Sequence, residues 1–156
     1  PMNRSASGFD LTPPTEAERQ RLEAALSDEE RRVLLHHGTE APFCGGLLAQ
    51  KQPGAYCCRL CGLPLFKHEA KFESGTGWPS FTAPYDPGHV VGVEDLSYGM
   101  RRVETRCARC GAHQGHVFPD GPRPTGLRYC INSVSLSFTP KGALAPDPLG
   151  RDETIP

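Results

Sequence analysis

Two Cys-x-x-Cys-Gly units, Cys58-Arg-Leu-Cys61-Gly62 and Cys107-Ala-Arg-Cys110-Gly111, limit what this chain can fold into more than any other feature. A CxxC turn offers two thiols at the bite a tetrahedral ion accepts, so two such turns supply a complete set of four. The glycine after each second cysteine lets the chain enter positive φ at little cost and lets backbone N–H groups turn toward the sulfurs. The units stand 45 residues apart, far for a small metal-held finger. The expected site therefore clamps two distant hairpins and is closed: one structural Zn2+ per chain on Cys58, Cys61, Cys107 and Cys110. Two disulfides, or a thioredoxin-like redox pair, compete for the same pattern. A redox CxxC belongs at the start of a helix, whereas Gly62 and Pro64 follow the first unit at once.

With 156 residues, 37% of them hydrophobic, the chain has material for one ordinary core and is expected to form a single domain, 1–156. Its formal charge is -1 and no run of Lys or Arg exceeds two residues, so the footprint of a nucleic-acid or anionic-membrane binder is missing. No stretch approaches the roughly 18 apolar residues of a membrane span, and PMNRSASGFD lacks the apolar centre of a secretory signal. Seven cysteines in such a chain argue for a reducing compartment, and the expected location is cytoplasmic.

Residues 1–38 form the helical segment, with two or three short helices expected. Thr15 with Glu18, and Ser27 with Glu30, match the capping box. Leu22, Ala25 and Leu26 would be the apolar stripe of the first helix and Val33, Leu34 and Leu35 that of the second, which Gly38 stops. These helices read as a lid or support. From 41 to 140, Gly and Pro punctuate short apolar or alternating runs such as HVVGVED, MRRVETRC and LRYCINSVSLSF. The expected fold class is mainly β, with antiparallel sheets of short strands. Residues 141–156, proline-rich and polar, read as an irregular tail that wraps loosely or frays.

Three cysteines remain. Cys57, which faces away from Cys58 on a strand, reads as a buried hydrophobe. Cys44 lies in a Gly-flanked loop, PFCGG. Cys130 shares one strand face with Arg128 and Asn132, while Tyr129 and Ile131 face the other way. After Asn132 the apolar parity switches to Val134, Leu136 and Phe138, so either a bulge re-aims the chain or the polar trio ends a face that becomes core. The Arg128 charge favours a Cys130 thiolate. By its strand address alone, Cys130 is equally a core residue. His113 and His116 suit either metal ligation or acid–base work, and Trp78 either core or the wall of a ligand pocket.

The series GTEAPFCGG, YCCRLCGLPLFKHEAKFESGTGWPSF, the D-x-S-x-G-M-x-R-x-E segment Asp95 to Glu104, CARCGAHQGHVFPDGP and GLRYCINSVSLSF closely resembles the methionine-R-sulfoxide reductases, the MsrB family, from about Ser27 to Pro140. The resemblance implies an MsrB-like β domain and thiol-dependent reduction of methionine R-sulfoxide, free or in proteins, with Cys130 as nucleophile and a sulfenic acid as intermediate. It implies that His113 and His116 supply or relay the proton the sulfoxide oxygen needs, His116 first, that Arg128 and Asn132 position and activate Cys130, and that Trp78 receives the S-methyl group. It maps zinc onto the four cysteines of the paired motif. Many members carry a second cysteine just before GWPSF, but here the chain reads Ser74-Gly75-Thr76-Gly77. Cys44 is then the expected resolving thiol, Cys57 the alternative, and thioredoxin the reductant of a Cys130–Cys44 disulfide. Gln114 also departs from the family, which usually has an apolar residue there. Two other classes compete: a zinc-ribbon binding module, which needs none of Cys130, His113, His116 or Trp78, and a cysteine hydrolase using Cys130 and a histidine.

Overall fold

Both capping boxes form in the computed structural model, which describes residues 3–153. Thr15 and Glu18 exchange side-chain-to-backbone bonds, as do Ser27 and Glu30. They open helix α1, Glu16–Ala24, and helix α2, Asp28–Leu34, by satisfying N–H groups that a first turn leaves free. Leu22 and Leu34 reach the core. Ala25 is the cap of α1 rather than part of its stripe, and α2 is capped by Leu35, ahead of Gly38. The left-handed residue after α2 is His37, at φ 58. Gly38 serves a different need, since a Cβ there would lie 2.8 Å from the Arg32 carbonyl oxygen.

Nine short strands follow among the described residues: β1 Gly54–Cys58, β2 Pro64–Lys67, β3 Lys71–Phe72, β4 Ser80–Phe81, β5 Val90–Asp95, β6 Arg102–Cys107, β7 His113–Phe118, β8 Arg128–Ile131 and β9 Leu136–Pro140. They form two antiparallel sheets, ordered β2-β1-β9 and β3-β4-β8-β7-β6-β5. The chain is mainly β with two short helices, as its punctuation implies. The segment GLRYCINSVSLSF, however, is not one strand. β8 ends at Ile131, a 3-10 turn over Ser133–Ser135 re-aims the chain, and β9 joins the other sheet. The parity switch after Asn132 thus marks a change of sheet, neither a bulge nor a face running into core.

Aromatic rings join the sheets. Phe66 of β2 stacks on Phe81 of β4 with centroids 4.4 Å apart, and Tyr56 of β1 meets Phe81 edge-on at 5.1 Å. All three are fully buried, and Ile131, Leu63, Leu65 and Leu136 fill the space around them. Residues 141–153 carry no helix or strand, yet they are tied down rather than frayed. Leu149 is buried, Glu153 pairs with the buried Arg109 at 2.7 Å, and Arg151 donates to the Thr12 carbonyl at 2.7 Å. Residues 154–156 of the expected tail lie outside the described residues. Among the described residues no helix is long and apolar enough to cross a membrane.

Because Phe66 is the ring through which β2 reaches the larger sheet, Phe66→Ala should cost about 3–5 kcal/mol in a urea titration of the metal-loaded protein. A loss under about 1 kcal/mol would mean that the sheets do not depend on this stack.

Candidate active site and metal centre

The first CxxCG unit makes the turn between β1 and β2 and the second the turn between β6 and β7, so the four cysteines bring one hairpin of each sheet together. Gly62 and Gly111 take φ values of 84 and 77. Their N–H groups close the turns onto the Cys58 and Cys107 carbonyls at 2.8 Å, rather than pointing at sulfur. All four Sγ atoms lie within 4.8 Å of one another, with Cys58–Cys110 at 3.6 Å and Cys61–Cys107 at 3.5 Å. Sulfurs on a tetrahedral zinc with bonds of about 2.3 Å stand about 3.8 Å apart, so this set fits such an ion after small adjustments.

The four buried thiols also perturb one another strongly. Burial raises the Cys107 thiol well above its ordinary value, and the hydrogen bond with Cys107 does the same to Cys110. Burial opposes ionisation of Cys61, yet hydrogen bonds from Cys107, Cys110 and Cys58 hold it well below. Exchanging such protons for one divalent ion relieves the crowding. Gln114, fully buried, donates through Nε2 to Cys58 Sγ at 3.5 Å.

One row of cross-strand partners organises the other site. Val93 of β5 pairs with Glu104 of β6, Glu104 with His116 of β7, His116 with Cys130 of β8, and Cys130 with Ser80 of β4. Side chains of directly paired residues share a face, so Glu104, His116 and Cys130 project from the same side of the sheet. In a regular strand His113 and His116, three apart, would face opposite ways. The register shifts between Thr105 and Arg106, where His113 becomes the partner of Arg106 and Gln114 is the unpaired extra residue. That bulge puts both histidines on the Cys130 side and frees Gln114 to reach the cysteine cluster.

Cys130 lies in a cavity of about 260 Å³. Trp78 and Phe118 supply aromatic surface, while Arg102, His116, Arg128 and Asn132 supply polar groups. Trp78 is fixed by its Nε1, which donates to the Glu40 carbonyl at 3.0 Å. The Asn132 amide is committed to scaffolding. Its Oδ1 accepts the Glu40 N–H at 2.9 Å and its Nδ2 donates to the Gln114 carbonyl at 3.1 Å. Arg128 is clamped by Asp120, Nε to Oδ1 at 2.9 Å, and lies over the Phe118 ring. His116 Nε2 meets Asp95 Oδ2 at 2.7 Å, and hydrogen bonds from Ser97 and His116 hold the Asp95 carboxyl well below the usual range.

Of the residues expected at the site, Cys130, His116, Arg128, Asn132 and Trp78 share the cavity, whereas His113 and Cys44 do not line it. His113 is buried in the adjoining groove, its Nδ1 on Glu104 at 2.6 Å. Cys44 is exposed in a turn of the 41–46 loop, and the neighbouring Phe43 N–H bonds the Gly77 carbonyl beside Trp78. Arg128 does favour the Cys130 thiolate, as expected, but it is not the largest influence on that thiol. Burial raises the Cys130 thiol above its ordinary value, and the opposing pull of Arg128 and of the Thr76 hydroxyl is the smaller effect. Cys57 is wholly buried on β1 and its thiol is pushed up to about 12, chiefly by burial. Asp95, Arg102 and Glu104 were present in the D-x-S-x-G-M-x-R-x-E segment but carried no assigned role, because only the sheet register puts them beside His116 and His113.

Comparison with known proteins agrees with this geometry. The SelR domain family model matches residues 26–140. The chain is 76% identical over 151 residues to the peptide methionine sulfoxide reductase MsrB of Caulobacter vibrioides (strain NA1000 / CB15N), covering 97% of this chain and 95% of that protein. It is 61% identical over 145 residues to the peptide methionine sulfoxide reductase MsrB of Xylella fastidiosa (strain M23), covering 93% of this chain and 94% of that protein.

Because burial outweighs the Arg128 charge and raises the Cys130 thiol above its ordinary value, its thiolate fraction is expected to grow as pH rises. In a Cys44→Ser background, iodoacetamide labelling of Cys130 should therefore climb about tenfold per pH unit between about 7 and 9. A rate already at its plateau near neutral pH would mean that the guanidinium wins.

Proposed function

This chain belongs to the SelR domain family of peptide methionine sulfoxide reductases MsrB, and from that premise we propose a residue-by-residue course for its reaction. The chain is an oxidoreductase, a peptide-methionine (R)-S-oxide reductase. The observation that carries the assignment of Cys130 as nucleophile is its direct cross-strand pairing with His116 in a cavity walled by Trp78.

The sulfoxide enters with its S-methyl group against Trp78 and its oxygen toward His116. Cys130 Sγ attacks the substrate sulfur. The S–O bond of the substrate breaks, an S–O bond forms on Cys130, and methionine leaves. The substrate sulfur gains two electrons and the Cys130 sulfur loses two. The proton given up by the Cys130 thiol ends on the sulfenic oxygen, and His116, steadied by Asp95, is the group that moves it. Trp78 and the polar groups line the same cavity, which gives the site the means to discriminate between sulfoxide epimers. Arg128 and Asn132 act as positioning groups, since each is already bonded to a fixed partner.

Cys44 then attacks the sulfenic sulfur of Cys130, forming a disulfide and releasing water. A dithiol protein of the thioredoxin type returns both cysteines to thiols by exchange. Cys44 is favoured over Cys57 because it is exposed on a loop bonded to the Trp78 segment, whereas Cys57 is buried in the other sheet with its thiol at about 12. The 41–46 loop has to swing toward the cavity for the bond to form. Seven free cysteines suit a reducing, cytoplasmic setting. Cys58, Cys61, Cys107 and Cys110 would hold one Zn2+, which pins the two turns and supplies no chemistry at Cys130.

With excess substrate and no reductant, Cys44→Ser should release one methionine per enzyme, and its thioredoxin-driven turnover should collapse. Full turnover by that variant, or unchanged activity in Cys130→Ser, would sink the respective assignment. Labelling of Cys130 as an acyl-enzyme with no consumption of reductant would favour a hydrolase instead. Cys110→Ser should lose its zinc, read by elemental analysis, and unfold at a lower temperature than the parent. Retention of a full equivalent would remove Cys110 from the ligand set.

A further inference from the structure

Four of the six histidines of the chain, His36, His37, His113 and His116, line one groove of about 420 Å³ beside the Cys130 cavity. Within it, His37 Nδ1 and His113 Nδ1 each approach the same oxygen, Glu104 Oε2, at 2.6 Å. The three donor atoms all lie within 4.8 Å of one another. They come from separate parts of the chain: the turn after α2, β6 and the bulge in β7. Two imidazole nitrogens with one carboxylate oxygen form a donor set suited to borderline divalent transition ions. Three protein ligands leave further positions for water, unlike the closed set of four thiols.

The surroundings favour such an ion in specific ways. Glu104 and His113 are buried, at 5% and 2% exposure, so their donor atoms are held in place. Arg106 binds the other carboxylate oxygen, Oε1, at 2.8 Å, which fixes the carboxylate plane and leaves Oε2 toward the imidazoles. His37 is exposed and gives an ion a way in. Ligand atoms bonded to one ion at about 2.0–2.1 Å stand roughly 3 Å apart, more than the present contacts. Both contacts to Glu104 would lengthen by a few tenths of an ångström, His37 moving freely on its surface turn and the buried His113 by a small shift of its ring. His116 is not a ligand, because its Nε2 is held by Asp95 at 2.7 Å.

We propose that His37, Glu104 and His113 form a second site, separate from the four-cysteine cluster, for a divalent transition ion of the Co2+ or Zn2+ class. The nearby Arg106 charge makes it weaker than the thiol site and reversible. It does not depend on the reductase reading, and either can fail without the other.

The test uses the full chain with its cysteine site loaded with one zinc. Co2+ is added stepwise, followed by calorimetry and by visible absorption. The expected result is one further equivalent with d–d absorption and no near-ultraviolet thiolate charge-transfer band. His37→Gly, chosen because glycine suits the φ of 58 at this position, should weaken that binding at least tenfold, and His37→Asn should do the same. Reductase activity without added Co2+ should be unchanged in both variants, and His36→Ala should bind as the parent does. No second equivalent in the parent, a second equivalent bearing a thiolate charge-transfer band, or parental affinity in both His37 variants would overturn the site.

Discussion

The contact on which the rest of the molecule depends is the meeting of two hairpin turns at four cysteine sulfurs. One turn belongs to the three-stranded sheet and the other to the six-stranded sheet. Each sheet is too small to bury both of its faces alone, and the rings of Tyr56, Phe66 and Phe81 pack across the join between them. In a chain with so many Gly and Pro residues, backbone ordering is costly, and an ion shared by the two turns would convert binding free energy directly into folding free energy. The N-terminal arm and the tail reinforce the same place. Arg109, inside the second turn, bonds the Cys61 carbonyl, the Asp10 carbonyl and the Glu153 carboxylate.

That clamp is connected to the reaction site by a short bonded path. Gln114 reaches Cys58 Sγ with its side chain, while its carbonyl accepts both the backbone and side-chain N–H groups of Asn132. Asn132 in turn accepts from the Glu40 backbone, and the Glu40 carbonyl accepts the Trp78 indole. The proposed pocket wall is thus joined through Glu40, Asn132 and Gln114 to the cysteine turns. The polar residue that departs from the family between the two histidines has a structural use: it spans from the six-stranded sheet to the Cys58 sulfur. The groove holding His37, Glu104 and His113 shares this frame and draws its third donor from the loop that also carries Glu40.

Much of this was legible in the residues. The capping boxes at Thr15 and Ser27 are local patterns whose donors and acceptors lie three residues apart, so no tertiary contact had to be known. The paired CxxCG units likewise carry their own geometry. Cys130 was ambiguous by strand position and became a candidate reagent only through the company of motifs around it. Asp95, Glu104, Arg102 and Thr76 were invisible as site residues, because nothing local distinguishes a carboxylate beside a histidine from one on a solvated strand. The direction of the Arg128 influence was legible, but the net balance at Cys130 was not, for a related reason. Sequence proximity registers the charge two residues away but not the burial that outweighs it, nor Asp120 holding that charge.

By itself, then, the sequence determined the β class, the two helix starts and the four-cysteine set, all readable from spacings within a few residues or from paired motifs, and its family resemblance made Cys130 the candidate reagent. The tertiary structure alone decided three things. It sent Gly126–Phe138 into two different sheets, it inserted the bulge at Gln114 that turns His113 and His116 to one side, and it lined up Glu104, His116 and Cys130 across neighbouring strands. Period-two counting along one strand cannot register an extra residue whose existence is defined only against its partner strand, and cross-strand neighbours are set by register rather than by sequence distance.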